Sequence, residues 1–424
     1  MPAPDGRRLD RTLTLGPAVG LAIGLVVGSG LLVLPGLAYQ RSGGAAIYAW
    51  LVDALLVVPL LVVFARLAAR YPSAGGVAAF VETAFGRRAA AAVEVLLLGT
   101  FVFGGPAMAL TGGYSLAAAV GGGGATALGG ALALLALAFV VNARGAQISG
   151  RVQQVLAYGM VLLLGAAAVG ALVAGGREGA GVSPPAAWAA SLPALGLVFW
   201  AYAGWEMLAF TAEEYVNPAR DFPRAVAISF GVVVLLYLGV AAAVQVTLPP
   251  DAPRLATASV AALFGTVYGG WGGTFAALVG VVMVAANLVA GTFAASRLVF
   301  ASARAGLLPA ALARLDPATG APRASVAANV GVFAALACAG AAGLAGLDTM
   351  LEVAGRNFLV LYGLGVAAYL RLVPSGGGRL VGLVALVLVL AMAATFGAGL
   401  LYPAALLAAG LLLAGRRPLV RPRD

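Results

Sequence analysis

The sequence contains no histidine, no lysine and a single cysteine among its 424 residues. The absence of histidine excludes histidine-based catalytic triads, metal sites and proton relays. The lone Cys338 excludes an internal disulfide and any CxxC metal or redox motif. No GxxxxGK[ST] motif occurs, which argues against a nucleotide-driven pump. Histidine-based catalysis and cysteine-based metal or redox chemistry are therefore excluded, and we expect no cofactor and no metal.

Charged side chains are also scarce, at 9% of the chain against 62% hydrophobic residues. Soluble domains carry about 25% charged residues. A soluble protein of this size would lack the charged side chains needed to cover its surface. The composition therefore predicts an all-α polytopic membrane protein whose solvent is the lipid bilayer.

The net charge of +10 does not indicate a nucleic-acid partner. All 25 basic residues are arginine, and together with the many alanines and glycines this is typical of a GC-rich genome. We therefore expect no nucleic-acid binding.

Apolar runs of about 20 residues, bounded by arginine, proline or polar clusters, predict twelve membrane spans. These are 15–40, 44–68, 89–119, 125–142, 148–174, 189–212, 225–248, 270–302, 323–344, 348–371, 379–395 and 397–415. With the N-terminus inside, only Arg41, Arg177 and Arg254 fall outside, as the positive-inside rule requires. We expect a bacterial cytoplasmic membrane protein with both termini cytoplasmic. Its parts would be a tail at 1–14, a ten-helix core at 15–371, two added helices at 379–415 and a basic tail at 416–424.

Two of these spans carry a helix-breaking signal near their middle. In the first, residues 28–36 read "GSGLLVLPG", and Pro35 lacks a backbone donor while Gly28 and Gly30 loosen the turn before it. In the sixth, Ala203 and Gly204 precede Glu206 in an apolar run. Each interrupted span opens a set of five helices, which is the pattern of transporters built from inverted repeats. We therefore predict a five-plus-five inverted-repeat (LeuT-like) core with spans 1 and 6 broken.

Four motifs resemble a known family. They are "GLVVGSGLLVLPG", "YPSAGGVAAFVETAFG", "VFWAYAGWEMLAFTAEEYVNPARDFPRAV" and "ASRLVFASARAGLLP". Together they resemble the amino acid, polyamine and organocation (APC) transporter superfamily over about residues 15 to 370. The second and third are most similar to the bacterial L-methionine and branched-chain amino acid exporters. The resemblance implies a secondary transporter (a permease or exporter) of neutral, hydrophobic amino acids that works by alternating access.

The resemblance also implies a substrate site at the two breaks. Backbone amides around Gly28, Ser29 and Gly30 would receive the α-carboxylate, and carbonyls near Phe199, Trp200 and Ala201 would accept the α-ammonium group. The physics agrees, because the positive end of a half-helix binds an anion without a basic side chain. The full set of expected substrate-binding residues is Ile23, Gly24, Val27, Gly28, Ser29, Gly30, Phe103, Phe199, Trp200, Ala201, Tyr202 and Gly204. For Phe103 and Phe199, contact with lipid or core is the alternative.

Three charged residues in the spans are expected to act in coupling or gating. Glu206 in Gly204-Trp205-Glu206 matches an element implicated in the pH response of proton-sensitive relatives, with a purely structural glutamate as the alternative. Glu352 and Arg356, spaced i, i+4, are expected to form a gate or a structural ion pair. Asp53 and Glu94 are expected to serve polar packing.

The proton is the expected coupling ion, ahead of sodium. Thr292 and Ser296 stand isolated where sodium-driven relatives have an adjacent Ser/Thr pair. Met160 stands where some sodium-independent relatives have lysine, so the coupling ion stays open.

Other function classes fit less well. A transporter-like sensor or receptor would need an added soluble domain or long tail, and no such segment is seen. A carrier of cationic amino acids or polyamines would need an acid where the cationic side chain ends. A membrane-embedded enzyme would need a cluster of catalytic groups. Either a monomer or a homodimer is compatible with the sequence.

Overall fold

The structure is a computed structural model that describes residues 14–71, 76–144, 150–174, 178–205, 215–373 and 376–416. Within these ranges every regular element is helical. The α-helices are α1 Leu15–Val26, α2 Leu34–Ser42, α3 Ala46–Arg70, α4 Gly76–Phe85, α5 Arg87–Val120, α6 Gly124–Ala143, α7 Gly150–Ala174, α8 Leu195–Phe199, α9 Pro218–Thr247, α10 Leu255–Arg304, α11 Arg323–Ala341, α12 Leu347–Leu372, α13 Gly376–Ala394 and α14 Leu401–Arg416. Short 3₁₀ segments are Ser29–Leu32, Gly43–Ala45, Pro185–Ala194, Trp200–Tyr202, Ala310–Ala313 and Gly397–Leu400.

Eleven helical segments among the described residues are long and apolar enough to cross a membrane. Large apolar side chains point outward from them, such as Trp271 (88% exposed) and Val173 (80% exposed). Such surfaces are stable only against lipid, so the chain is a multi-pass membrane protein. The sequence predicted twelve spans. The difference lies in predicted span 15–40, because α1 (12 residues) is too short to span and α2 (9 residues) is counted with α3 in the segment Leu34–Ala68.

The predicted interruption of the first span is present. Helix α1 ends at Val26, Gly28 is extended (φ −103°, ψ −170°), and the 3₁₀ turn Ser29–Leu32 leads into α2. Pro35 lies in the first turn of α2, where its missing N–H costs nothing. The glycines therefore make the break, and the proline starts the second half-helix.

The sixth predicted span is also interrupted. After Pro185–Ala194 and α8, the 3₁₀ turn Trp200–Tyr202 ends at Ala203, which is extended, and Gly204 has a φ of 113°. That left-handed φ is accessible to glycine and strained for other residues. The described part of this span ends at Trp205.

The long helix α10 contains a third break that separates its N-terminal part from the predicted span 270–302. Gly269 has a φ of 74°, and Ala258 is also non-helical. In the N-terminal part, the Ser259 hydroxyl donates to the Leu32 carbonyl (3.1 Å), which fixes this segment against the first break.

Helix α5 lies at the centre of the packing. It contacts α4, α6, α10, α11, α12 and α14. The 3₁₀ turn Ser29–Leu32 contacts α5, α10 and the turn Trp200–Tyr202. Both breaks therefore meet inside the bundle, where unpaired backbone groups are tolerable only against protein or a cavity.

Candidate functional site

The first break leaves two backbone amides without a helical partner. Ser29 and Gly30 open the 3₁₀ turn, so nothing in that turn accepts from them. The Gly28 amide, by contrast, donates to the Val26 carbonyl (2.8 Å). The anion-binding donors expected at 28–30 are therefore reduced to the amides of Ser29 and Gly30.

At the second break the carbonyls are partly occupied. The Trp200 carbonyl accepts from the Ala203 amide (3.2 Å), and the Ala201 carbonyl accepts from the Tyr237 hydroxyl (3.0 Å). A carbonyl has two lone pairs, so each keeps room for one more donor. The Gly204 amide, just past the break, donates to the Tyr362 hydroxyl (3.2 Å).

One side chain joins the two breaks directly. The hydroxyl of Tyr237, a fully buried residue of α9, lies 2.9 Å from the Val26 carbonyl and 3.0 Å from the Ala201 carbonyl. Both carbonyls belong to helix ends that face the interior, where an unmatched acceptor is costly. Tyr237 therefore ties the end of α1 to the turn before Gly204. No sequence motif pointed to it.

The indole of Trp200 lies between the first break and α5. A Cβ at Gly30 would lie 2.9 Å from its Cδ1, and a Cβ at Gly104 would lie 2.7 Å from its Cη2. On its other side, the ring of Phe358 is 5.4 Å away between centroids. Glycine at both positions is therefore what allows the indole to fit.

A cavity of about 50 Å³ adjoins this indole. Its lining residues are Thr100, Phe101, Gly104, Gly105, Met108, Trp200, Leu288, Gly291, Thr292, Phe333 and Phe358. None of them is charged, and the surface is almost wholly apolar. The Thr292 hydroxyl is the exception, since it is buried with no hydrogen-bond partner among the described residues. The arrangement can hold a small apolar group beside two backbone breaks.

Asn287 is a second residue that the sequence did not reveal. Its Nδ2 lies 3.7 Å from where a Cβ on Gly28 would be, so the α10 amide faces the first break. Only the position of α10 against the break brings it there, because nothing in the local sequence sets this asparagine apart.

Where the end of α2 meets the start of α12, four charged residues form a connected cluster. Arg41, at the end of α2, lies 2.9 Å from Asp348 and 3.0 Å from Glu352, and it also donates to the Pro193 carbonyl (3.5 Å). Glu352 also pairs with Arg356 on the same helix, as the i, i+4 spacing predicted. Arg41 was absent from the predicted gating residues. It connects α2, α12 and the turn Pro185–Ala194.

The structure brings together most of the predicted binding residues, with Phe103 as an exception. Phe103 packs edge-on against Tyr402 of α14 (5.3 Å between centroids), so its ring lies away from the cavity. The next residue, Gly104, lines the cavity instead, because neighbouring helical positions point about 100° apart. Phe199 is buried against Tyr362, and Ile23, Val27 and Tyr202 are buried near the breaks.

The other polar residues that the sequence singled out differ in what the structure shows of them. Glu206 lies outside the described residues. Glu94 pairs with Arg87 near the start of α5, in agreement with a packing role. The Ser296 hydroxyl donates to the Phe293 carbonyl (2.9 Å), so it is engaged within its own helix. Across the described ranges, no three acidic or cysteine side chains cluster as a metal site would require.

Comparisons with known proteins agree on one family. A family model described as "Amino acid permease" matches residues 13–412. The amino acid permease YecA of Bacillus subtilis is 29% identical over 408 residues, covering 95% of each chain. The L-methionine/branched-chain amino acid exporter YjeH of Escherichia coli is 36% identical over 236 residues, covering 54% of this chain and 55% of its own. The human large neutral amino acids transporter small subunit 2 is 29% identical over 331 residues, covering 73% and 61%.

Replacing Tyr237 by phenylalanine tests the link between the breaks. The change removes the hydroxyl proton that the Val26 and Ala201 carbonyls share, although the Val26 carbonyl keeps the Gly28 amide as a donor, and it is expected to cost about 1–3 kcal/mol of stability. A lower melting midpoint of the purified protein in detergent is the expected result. Tyr268→Phe is the matched control, because that hydroxyl donates to the Ala166 carbonyl at an exposed site. Equal midpoints for the two variants would contradict the bridging role.

Proposed function

The chain belongs to the amino acid permease family, and on this premise we propose a secondary transporter of neutral, hydrophobic amino acids that works by alternating access. Its relatives are permeases and exporters, so the protein is a transporter and not an enzyme. Methionine and the branched-chain amino acids are the proposed substrates, and the proposed direction is export. The name of the Escherichia coli exporter supports both proposals, and the name of the human transporter supports a large neutral amino acid as substrate.

The observation that carries the proposal is the uncharged cavity beside two helix breaks. Amides at Ser29 and Gly30 suit a carboxylate, and the carbonyls of Phe199 and Ala201 suit an ammonium group. The cavity between α5 and α10 then takes the side chain. Since none of its lining residues is acidic, a cationic amino acid or polyamine is not favoured.

Trp200 occupies the space between the amides and the cavity in the described conformation. We propose that substrate binding displaces the indole, which then covers the bound amino acid. Backbone groups would recognise the part common to all amino acids, and the cavity would select the side chain.

The outer cluster is the proposed outer gate. Arg41 holds α2 to α12 and to the turn before α8, so these elements separate only if its ion pairs break. Arg41 is about one quarter exposed, and therefore water can compete for it when the outer side opens.

The finer membrane arrangement is proposed from the sequence alone. We propose twelve spans with a five-plus-five inverted-repeat core, both termini cytoplasmic, in a bacterial cytoplasmic membrane. Proton linkage through Glu206 is proposed from the Gly204-Trp205-Glu206 match alone. The proposed oligomeric state is a monomer or a homodimer.

Transport by the purified protein in proteoliposomes tests the main proposal. With unlabelled methionine inside, labelled L-methionine and L-leucine are expected to enter by saturable exchange. Excess unlabelled leucine should compete and arginine should not. Protein-free liposomes are the control. If no neutral amino acid shows saturable exchange, the proposed function is wrong.

Gly291→Ala tests the cavity as the side-chain site. The added methyl would lie 3.6 Å from Met108 Cε, an ordinary contact, so it fills space without a clash. In this variant, exchange of methionine and leucine should weaken by about tenfold relative to exchange of alanine as a substrate, because selection by one methyl-sized group is of that order. Gly231→Ala adds a methyl in open space on α9 and should change nothing. If the ratio of methionine and leucine exchange to alanine exchange is the same in Gly291→Ala as in the wild type, the substrate side chain lies elsewhere.

Arg41→Gln tests the outer gate. The reporter is Met108→Cys in a Cys338→Ser background. The rate at which a membrane-impermeant thiol reagent labels this cysteine measures access to the cavity from outside. Loss of both ion pairs should raise that rate several-fold. Asp251→Asn, which removes an exposed outer charge, is the control and should leave the rate unaltered. The gate role fails if Arg41→Gln labels no faster than its parent.

A further inference from the structure

A buried carboxyl group that the proposed function does not use lies on α3. Asp53 has no exposed surface, and neither of its carboxyl oxygens has a hydrogen-bond partner among the described residues. The other described carboxylates within the spans are paired, Glu94 with Arg87 and Glu352 with Arg41 and Arg356. A fully buried ionised carboxylate without a hydrogen-bond donor is far more costly than a neutral acid. The described conformation therefore accommodates Asp53 as the neutral acid.

Aromatic side chains from the second break surround this region. The rings of Trp50, Tyr202 and Tyr237 are 5.2–6.1 Å apart between centroids. The Tyr202 hydroxyl donates to the Trp50 carbonyl (3.1 Å). Trp50 lies one helical turn before Asp53. The hydroxyl of Tyr202 is therefore bound to α3 within one turn of the Asp53 carboxyl group.

No described cation neutralises Asp53 from the elements packed on α3. These elements are the helices α2, α8, α9, α12 and α13, and the turns Pro185–Ala194, Trp200–Tyr202 and Gly43–Ala45. Their titratable and charged groups are Tyr39, Arg41, Tyr202, Arg220, Asp221, Arg224, Tyr237, Asp348, Glu352, Arg356, Tyr362, Tyr369, Arg371 and Arg379.

None of these basic groups forms an ion pair with Asp53. Arg41 and Arg356 are held by acidic residues of α12, and Arg66 of α3 itself donates to the Tyr369 hydroxyl (2.9 Å). Residues 206–214, which lie outside the described ranges, contain no basic residue in their sequence. A proton is then the remaining means of neutralising the carboxyl group.

We propose that Asp53 is a proton-binding site that acts on the second break through Tyr202. The inference rests on the proposed transport function and adds a site to it. Tyr202 is the last residue before Ala203 and Gly204, so its side chain and the break move together. When the transport cycle opens Asp53 to water, its O–H bond breaks, the proton passes to that water and the carboxylate becomes the stronger acceptor. The Tyr202 hydroxyl then leaves the Trp50 carbonyl for Asp53, which shifts the break.

Two measurements on the same proteoliposomes test this inference. Exchange of labelled methionine without a pH gradient reports the transport cycle, and accumulation under an imposed pH gradient, with a trapped pH dye, reports proton movement. In the wild type both are expected. Asp53→Asn, which mimics the neutral acid in size, should lose gradient-driven accumulation and proton movement, and its remaining exchange should no longer vary with pH. Asp53→Glu should restore part of the accumulation.

Glu94→Gln is the matched control, because it removes a carboxylate that is already paired with Arg87. It should keep gradient-driven accumulation. If Asp53→Asn is not recovered as folded protein, Tyr202→Phe replaces it, since removing the hydroxyl should flatten the pH dependence of exchange.

Wild-type accumulation and proton movement in Asp53→Asn would overturn the inference. It would also be overturned if the wild type exchanges methionine without moving protons, while the proposed transport function would stand. Absence of exchange in the wild type would instead refute the transport function itself.

Discussion

The structure depends on one constraint, which is that backbone groups inside a bilayer must find partners within the protein. Two spans give up their helical hydrogen bonds at mid-length, and the groups released there are met by side chains from other helices. Tyr237 serves a carbonyl from each break, Tyr362 accepts from the amide of Gly204, and Ser259 donates to Leu32. Breaks in two distant parts of the sequence thus become one site.

Close approach around Trp200 is the second feature of the site. Gly30 and Gly104 permit the indole to lie between the break and α5. Gly355 lets α12 approach the Trp200 backbone, where a Cβ added at Gly355 would lie 3.4 Å from the Trp200 nitrogen. Small residues commonly serve helix packing in membranes. Here they also make room for one large aromatic residue, so packing and site construction share the same glycines.

Much of this arrangement was predictable because its signals are local. Glycines in an apolar run mark a break wherever the helix later packs, and an i, i+4 pair such as Glu352 and Arg356 is decided by helix geometry. The sequence could not show that Gly104 rather than Phe103 lines the cavity, because α5 is apolar all around and no pattern tells which face meets it. Arg41, Tyr237 and Asn287 were missed because their partners lie on other helices, far along the chain.

The sequence by itself determined the solvent, the approximate spans and the positions of the two interruptions. These follow from hydrophobicity and from backbone chemistry, which act residue by residue. Only the tertiary structure decided which groups meet at the breaks, that Gly104 and not Phe103 lines the cavity, and that Asp53 is buried with no hydrogen-bond partner in the described part of the chain. Such contacts depend on the rotation and register of each helix, and in an almost uniformly apolar chain no local pattern fixes either one.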